Sequence, residues 1–156
     1  MQVTLMTDAS VCGKTRAGGY GMWVVSERGK MPYGGSFQDL VADSYIAEIQ
    51  AVINSLAVAI NHGMVLKGDF VLIQLDNLGA ISCLQGKPCK RKDAQEAYQI
   101  WLQLTKAYHL NYKFKHVKAH TDNPDQRSKA NFFCDLHAKK GMQKKREELR
   151  NEKANA

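Results

Sequence analysis

Apolar and polar positions along the chain follow two rhythms, alternation and a three-to-four-residue repeat, and the switches between them mark the elements. Residues 3–7 read as a first strand that ends at Asp8-Ala9-Ser10. A loop over 11–18 leads into a second strand at 19–25, and Glu27-Arg28-Gly29-Lys30 is a turn with glycine where a hairpin needs one. Residues 31–37 form a third strand, with Gly34-Gly35 marking a bulge. Three strands joined by short connections predict an antiparallel meander.

Between Ser44 and about Asn61, Tyr45, Ile49, Val52, Ile53, Leu56 and Ile60 recur at helical spacing. Asp43 or Ser44 is placed to cap the start of this helix, and Asn61-His62-Gly63 ends it. The run Val71-Leu72-Ile73-Gln74-Leu75 is apolar enough to be buried on both faces, which places it mid-sheet. It ends at Asp76, and Asn77 opens a short helix to about Leu84. After the basic loop 86–92, a second long helix is predicted from about Asp93 to Tyr108, burying Ala97, Ile100, Trp101, Leu104 and Tyr108. Residues 110–117 alternate as a final strand, with Tyr112, Phe114 and His116 facing one way. A polar loop over 121–129 precedes the last helix, which starts at about Ser128 or Lys129. The order predicts an α/β fold built on a five-stranded mixed sheet, an antiparallel meander followed by parallel strands, flanked by helices.

At 156 residues the pattern fills one domain, 1–142, with a charged helical tail at 143–156. No apolar run approaches the roughly 20 residues that span a bilayer, so no membrane is expected as partner. Residues 1–6 run straight into the first strand instead of forming a signal peptide, and the expected location is cytoplasmic. Cys12, Cys83, Cys89 and Cys134 lack zinc-site spacing, and without an export signal they read as free thiols. Lys and Arg outnumber Asp and Glu by 22 to 15, a net charge of +7, which makes nucleic acid the leading partner class.

That charge excess gains a chemistry from four acids. Asp8 ends the first strand, Glu48 sits at the edge of the apolar stripe one turn into its helix, and Asp76 ends the central strand. Asp135 projects to the same side of the last helix as Asn131, Ala138 and Met142, where an unpaired aspartate is costly. Bland alternatives exist: a helix cap for Asp76, a solvated flank for Glu48. If the first and fourth strands pair in parallel, Asp8 and Asp76 emerge side by side. Carboxylates about 4 Å apart repel by about 4 kcal/mol at an effective dielectric near 20. No fixed cation is placed to offset this, so the cluster needs divalent metal, and hard oxygen donors select Mg²⁺ or Mn²⁺ over zinc. Two such ions suit phosphoryl displacement. A glycosidase pair explains only two of the acids, and no serine or cysteine nucleophile motif is present.

Several segments now fall into register: Thr7-Asp8-Ala9-Ser10 with Gly18-Gly19-Tyr20-Gly21, Ala47-Glu48-Ile49, Leu75-Asp76-Asn77, His116-Val117-Lys118-Ala119-His120 and Asn131-Phe132-Phe133-Cys134-Asp135-Leu136. In order and spacing they resemble the type 1 ribonuclease H family over about residues 2–142. The resemblance implies the ribonuclease H-like fold, with Asp8, Glu48, Asp76 and Asp135 holding two Mg²⁺ (Mn²⁺ substituting) and no organic cofactor. It implies in-line attack of water on the scissile phosphate in the RNA strand of an RNA–DNA hybrid, by a monomer. His120 would help move protons or release product.

The chain also departs from the family pattern. Asp8-Ala9-Ser10 replaces Asp-Gly-Ser, Ser44 and Tyr45 replace hybrid-contacting asparagines, Ile46 replaces a phosphate-gripping arginine and Leu78 replaces a glutamine. The basic protrusion of some bacterial members is reduced to the loop at 87–92. The metal centre is kept while the contacts that read 2′-hydroxyls are rewritten. Two other readings therefore stay open. One is a structure-specific endonuclease of the same fold that cuts branched DNA such as a Holliday junction, which requires a dimer. The other is a catalytically silent nucleic-acid-binding module.

Overall fold

The long apolar alternation of the first segment forms β1 (Gln2–Val11), the strand on which the sheet is assembled. In the computed structural model, which describes residues 1–118 and 126–156 and leaves aside the side chains of 126–128, β1 runs past Asp8 instead of ending there. β2 (Gly18–Ser26) and β3 (Gly29–Ser36) pair antiparallel to it in sequence, and β4 (Phe70–Leu75) and β5 (Asn111–His116) add in parallel on the other side. The sheet order is β3-β2-β1-β4-β5. Helices α1 (Ser44–Asn61), α2 (Leu78–Leu84), α3 (Lys92–Ala107) and α4 (Gln126–Ala154) complete the expected sequence of elements.

One face of the sheet carries α1, packed on β1 and β2. Leu5, Ile49, Leu56, Ile73, Leu75 and Trp101 are fully buried in this core. Trp101 sits edge-on to Tyr112 of β5 at a centroid distance of 5.1 Å. The predicted inward face of α3 needs correction, because Ile100 is 53% exposed and Tyr108 is 36% exposed. The helix buries a narrower stripe, Ala94, Ala97, Trp101 and Thr105. Thr105 is tolerated there because its hydroxyl donates to the Trp101 carbonyl at 2.9 Å.

The other face is covered by α4, which lies on β1, β2 and β3. Here the bulge expected at Gly34-Gly35 is absent: the β2–β3 register runs unbroken from Gly19↔Ser36 to Ser26↔Gly29. Those glycines serve close approach instead. A Cβ on Gly34 would lie 2.7 Å from Cβ of His137, and one on Gly21 would overlap the Cys134 carbonyl. The helix therefore rests with its backbone nearly against the sheet. Gly29 at the β2–β3 turn does adopt the positive φ of +127° that the turn demands.

At the start of β1 and β4, Asp69 is nearly buried and bridges several elements. It accepts from the Arg28 guanidinium (Nη2 to Oδ1, 3.0 Å) and from the Leu66 amide at 2.8 Å, and faces the N-terminal ammonium at 3.5 Å. The Arg28 hydrogen bonds hold its carboxyl down at about 2.

Candidate active site

The parallel register of β1 and β4 runs from Gln2↔Phe70 to Met6↔Gln74. Two further residues of the same register bring Asp8 level with Asp76, at the end of the sheet opposite Asp69. β4 stops one residue before Asp76 because Asn77 caps α2, its side chain accepting from the Ala80 amide at 2.8 Å. The capping task falls to Asn77, and the Asp76 carboxylate takes no part in the cap. The Asp76 backbone is held from β5, where His116 Nε2 donates to its carbonyl at 3.0 Å and the Val117 amide donates to the Leu75 carbonyl at 3.0 Å.

Glu48 arrives from the opposite layer. Asp43 caps α1 by accepting from the Ile46 amide at 3.0 Å, and its other oxygen takes Arg91 Nη1 at 2.7 Å. Arg91 also lies over the Tyr45 ring, 5.1 Å from its centroid, so the first turn of α1 is tied to the segment before α3. One turn on, Glu48 is buried at 7% exposure and reaches the sheet end. Its Oε1 accepts from the Ala9 amide at 3.3 Å, the same N–H that bonds Asp8 Oδ1 at 2.9 Å.

Asp8, Glu48 and Asp76 each offer a carboxylate oxygen, and these oxygens lie within 4.8 Å of one another. Burial first, then repulsion from Asp8 and Asp76, pushes the Glu48 carboxyl up to about 9. The same two causes, burial and then Asp76, raise Asp8 to about 6. Glu48 Oε2 is buried with no hydrogen-bond partner among the described residues. An orphaned buried oxygen inside a mutually repelling set of hard donors is what a divalent cation satisfies, and these residues fit Mg²⁺ or Mn²⁺.

Asp135 stands apart from that trio. It lies at the same rim, close enough for its charge to raise the Asp8 carboxyl, but its Oδ2 is paired with Lys139 Nζ at 3.0 Å one turn along α4. The residue before it, Cys134, is buried against the sheet and donates its thiol to the Met6 carbonyl at 3.5 Å, which fixes this turn of α4. His120 falls outside the described residues. Two contributors lie within the in-register segments but were not among the expected site residues: His116, which braces Asp76, and Ala9, whose amide joins Asp8 to Glu48. The i,i+4 spacing of Asp135 and Lys139 was a legible signal that the periodicity reading passed over.

The substituted positions also find their places. Ile46 is buried at 3% exposure and belongs to the core, Tyr45 packs beneath Arg91, and Leu78 is exposed beside Asp76. All four cysteines are free. No described helix is long and apolar enough to cross a membrane.

Comparison with known proteins bears on all of this. The sequence model of the family described as RNase H matches residues 1–143. No curated protein sequence matches the chain. Among solved structures it is similar to RNase H1 from the halophilic archaeon Halobacterium salinarum NRC-1, at 18% identity and a TM-score of 0.71 over 92% of this chain and 99% of that one. It is similar to LC11-RNase H1, solved in complex with an RNA/DNA hybrid, at 16% identity and a TM-score of 0.71 over 91% of this chain and 97% of that one. The N-terminal RNase H domain of a Mycobacterium tuberculosis protein aligns at 18% identity and a TM-score of 0.67, covering 95% and 98%. Those likenesses give the fold, and the family match spans β1 to the middle of α4. The chain belongs to the ribonuclease H family of nucleases.

Proposed function

We propose that the chain is an Mg²⁺-dependent endonuclease that hydrolyses the RNA strand of RNA–DNA hybrids, acting as a monomer in the cytoplasm. One observation carries this reading: three carboxylates from distant segments converge within 4.8 Å, with a buried Glu48 oxygen left without a partner among the described residues. Asp8, Glu48 and Asp76 would hold the metal, and Asp135 would complete the set on turning away from Lys139. Two divalent ions, when bound, stabilise the attacking and leaving oxygens of a phosphoryl displacement.

The rest is done by the chain. The Ala9 amide fixes Asp8 and Glu48 relative to one another, and His116 fixes the backbone that presents Asp76. Burial of Glu48 keeps bulk water from its carboxylate. His120 would carry a proton or assist product release. The choice of hybrid is supported by the net charge of +7 and by the family's LC11 member, which was solved with a hybrid bound.

The test offers RNA–DNA hybrid, duplex RNA, duplex DNA and a four-way DNA junction side by side, with Mg²⁺ and with Mn²⁺. Hybrid should be cut with either ion, and Asp76→Asn should cut nothing. Cleavage of the junction but not of the hybrid would overturn the proposal in favour of a dimeric resolvase.

A further inference from the structure

The charged end of α4 has no part in the site so far, yet one of its sides carries cations and no glutamate. Lys139, Arg146, Arg150 and Lys153 follow Asp135 by four, eleven, fifteen and eighteen residues. At 3.6 residues per turn, all four fall within about 60° of the Asp135 azimuth. Glu147, Glu148 and Glu152 lie about 100° or more away from it, as do Lys140 and Lys144, with Lys145 about 80° away, so this side is marked by the exclusion of glutamate. The helix is unbroken from Gln126 to Ala154, so the exclusion of glutamate from this side holds through its charged end.

A second observation fixes where that side points. Cys134, the residue before Asp135, rests its backbone on Gly21, whose register partner on β1 is Asp8. Eleven residues after Asp135, Arg146 Nη1 lies 4.0 Å from Cys12 Sγ, just past the end of β1. The same side of α4 thus follows β1 outward from the carboxylates and past the sheet. Arg150 and Lys153 continue it into solvent, and exposed Lys14 flanks it from the turn after β1. Among the described residues neither Arg150 nor Lys153 has an acidic partner within 4.0 Å.

We propose that this side of α4 is a rail for the phosphate backbone of the substrate duplex, reaching outward from the carboxylate site. From Asp135 to Lys153 the rise is about 27 Å at 1.5 Å per residue, which matches about eight base pairs at 3.4 Å each. The rail supplies phosphate contacts through the tail, where the usual hybrid contacts near Ser44, Tyr45 and Ile46 are replaced. It positions the duplex and carries no sequence preference. The proposal rests on the reading of the site as a hybrid nuclease.

The test compares full-length wild type with Arg150→Gln/Lys153→Gln, both positions lying on exposed helix beyond the sheet. On a hybrid of about 24 base pairs, KM should rise about tenfold with kcat unchanged, and the salt slope of log kcat/KM should become shallower by about 1.8. On a hybrid of about six base pairs, too short for the rail, the two proteins should behave alike. Glu147→Gln/Glu152→Gln, which changes net charge as much on the other sides of the helix, should move KM less than about twofold. An unchanged KM and salt slope on the long hybrid, or an equal loss on both lengths, would overturn the rail. So would tail-dependent binding to anionic phospholipid vesicles with KM for the hybrid unaffected. A wild type that cuts hybrid beside an unaffected variant refutes the rail alone, whereas a wild type that cuts no hybrid refutes the parent reading and the rail with it.

Discussion

Gly21 of β2 faces the backbone carbonyl of Cys134 in α4 with no room for a side chain between them. The next residue along α4 is Asp135, so the distance between helix and sheet sets how far that carboxylate stands from Asp8. Gly21→Ala pushes against backbone that cannot swing aside. The expected cost is about 1–3 kcal/mol, read as a fall in Tm of roughly 3–10 °C, together with a loss of kcat as Asp135 is displaced. Thermal unfolding and steady-state rates check this, and an unchanged Tm would show that α4 is not seated as described.

The carboxylate cluster works against the stability of the metal-free protein. Glu48 titrates at about 9 when folded against an ordinary value of 4.5. The folded chain therefore holds a proton that the unfolded chain releases, and stability falls as pH rises between about 4.5 and 9. Asp8, raised to about 6, acts in the same direction over a lower window, and Asp76 and Asp135 supply the surrounding negative charge. In chelator, Glu48→Gln should raise Tm by about 3 °C or more at pH 8 and flatten its pH dependence, while abolishing cleavage. Parallel Tm profiles for the two proteins would contradict the burial of this charge.

Asp69 behaves in the opposite sense. Its carboxyl, held at about 2 by Arg28, contributes stability that is present above about pH 4 and lost as pH falls through about 2. The contribution is about 2 kcal/mol. Urea unfolding of Asp69→Asn should show that deficit at pH 7 and a much smaller gap from wild type at pH 2. Activity at low temperature should survive, because the residue lies at the far end of the strands from Asp8. A gap that stays constant with pH would mean the Arg28 pair is energetically silent.

His116 is a positioning residue, acting on Asp76 only through its backbone carbonyl. His116→Ala should lower kcat about three- to tenfold with KM little changed, the cost of about one neutral hydrogen bond. His116→Gln, which retains a donor, should recover part of that loss. A rise in KM with kcat intact would place the ring against substrate instead.

Much of the sheet was legible because its signals are local. The apolar run ending in Asp76, the alternation before Asp8 and the cap at Asp43 each act within a few residues. Features that depend on partners distant in sequence were misread or missed. Gly34 looked like a bulge because nothing nearby announces that His137 packs on it. Ile100 fitted the helical repeat but faces water, since α3 buries only a narrow stripe built around Trp101. The brace from His116 to Asp76 joins a ring to a carbonyl forty residues away, and no residue pattern encodes it. The four acids were singled out from sequence, yet only the structure separates the trio from Asp135 and its Lys139 partner.

The most direct measurement is anomalous diffraction from crystals of the chain grown with Mn²⁺. The expected result is manganese in contact with Asp8, Glu48 and Asp76, and lost in Asp76→Asn. Hybrid cleavage that persists while manganese binds elsewhere, or nowhere, would contradict the claim that these carboxylates hold the catalytic ions.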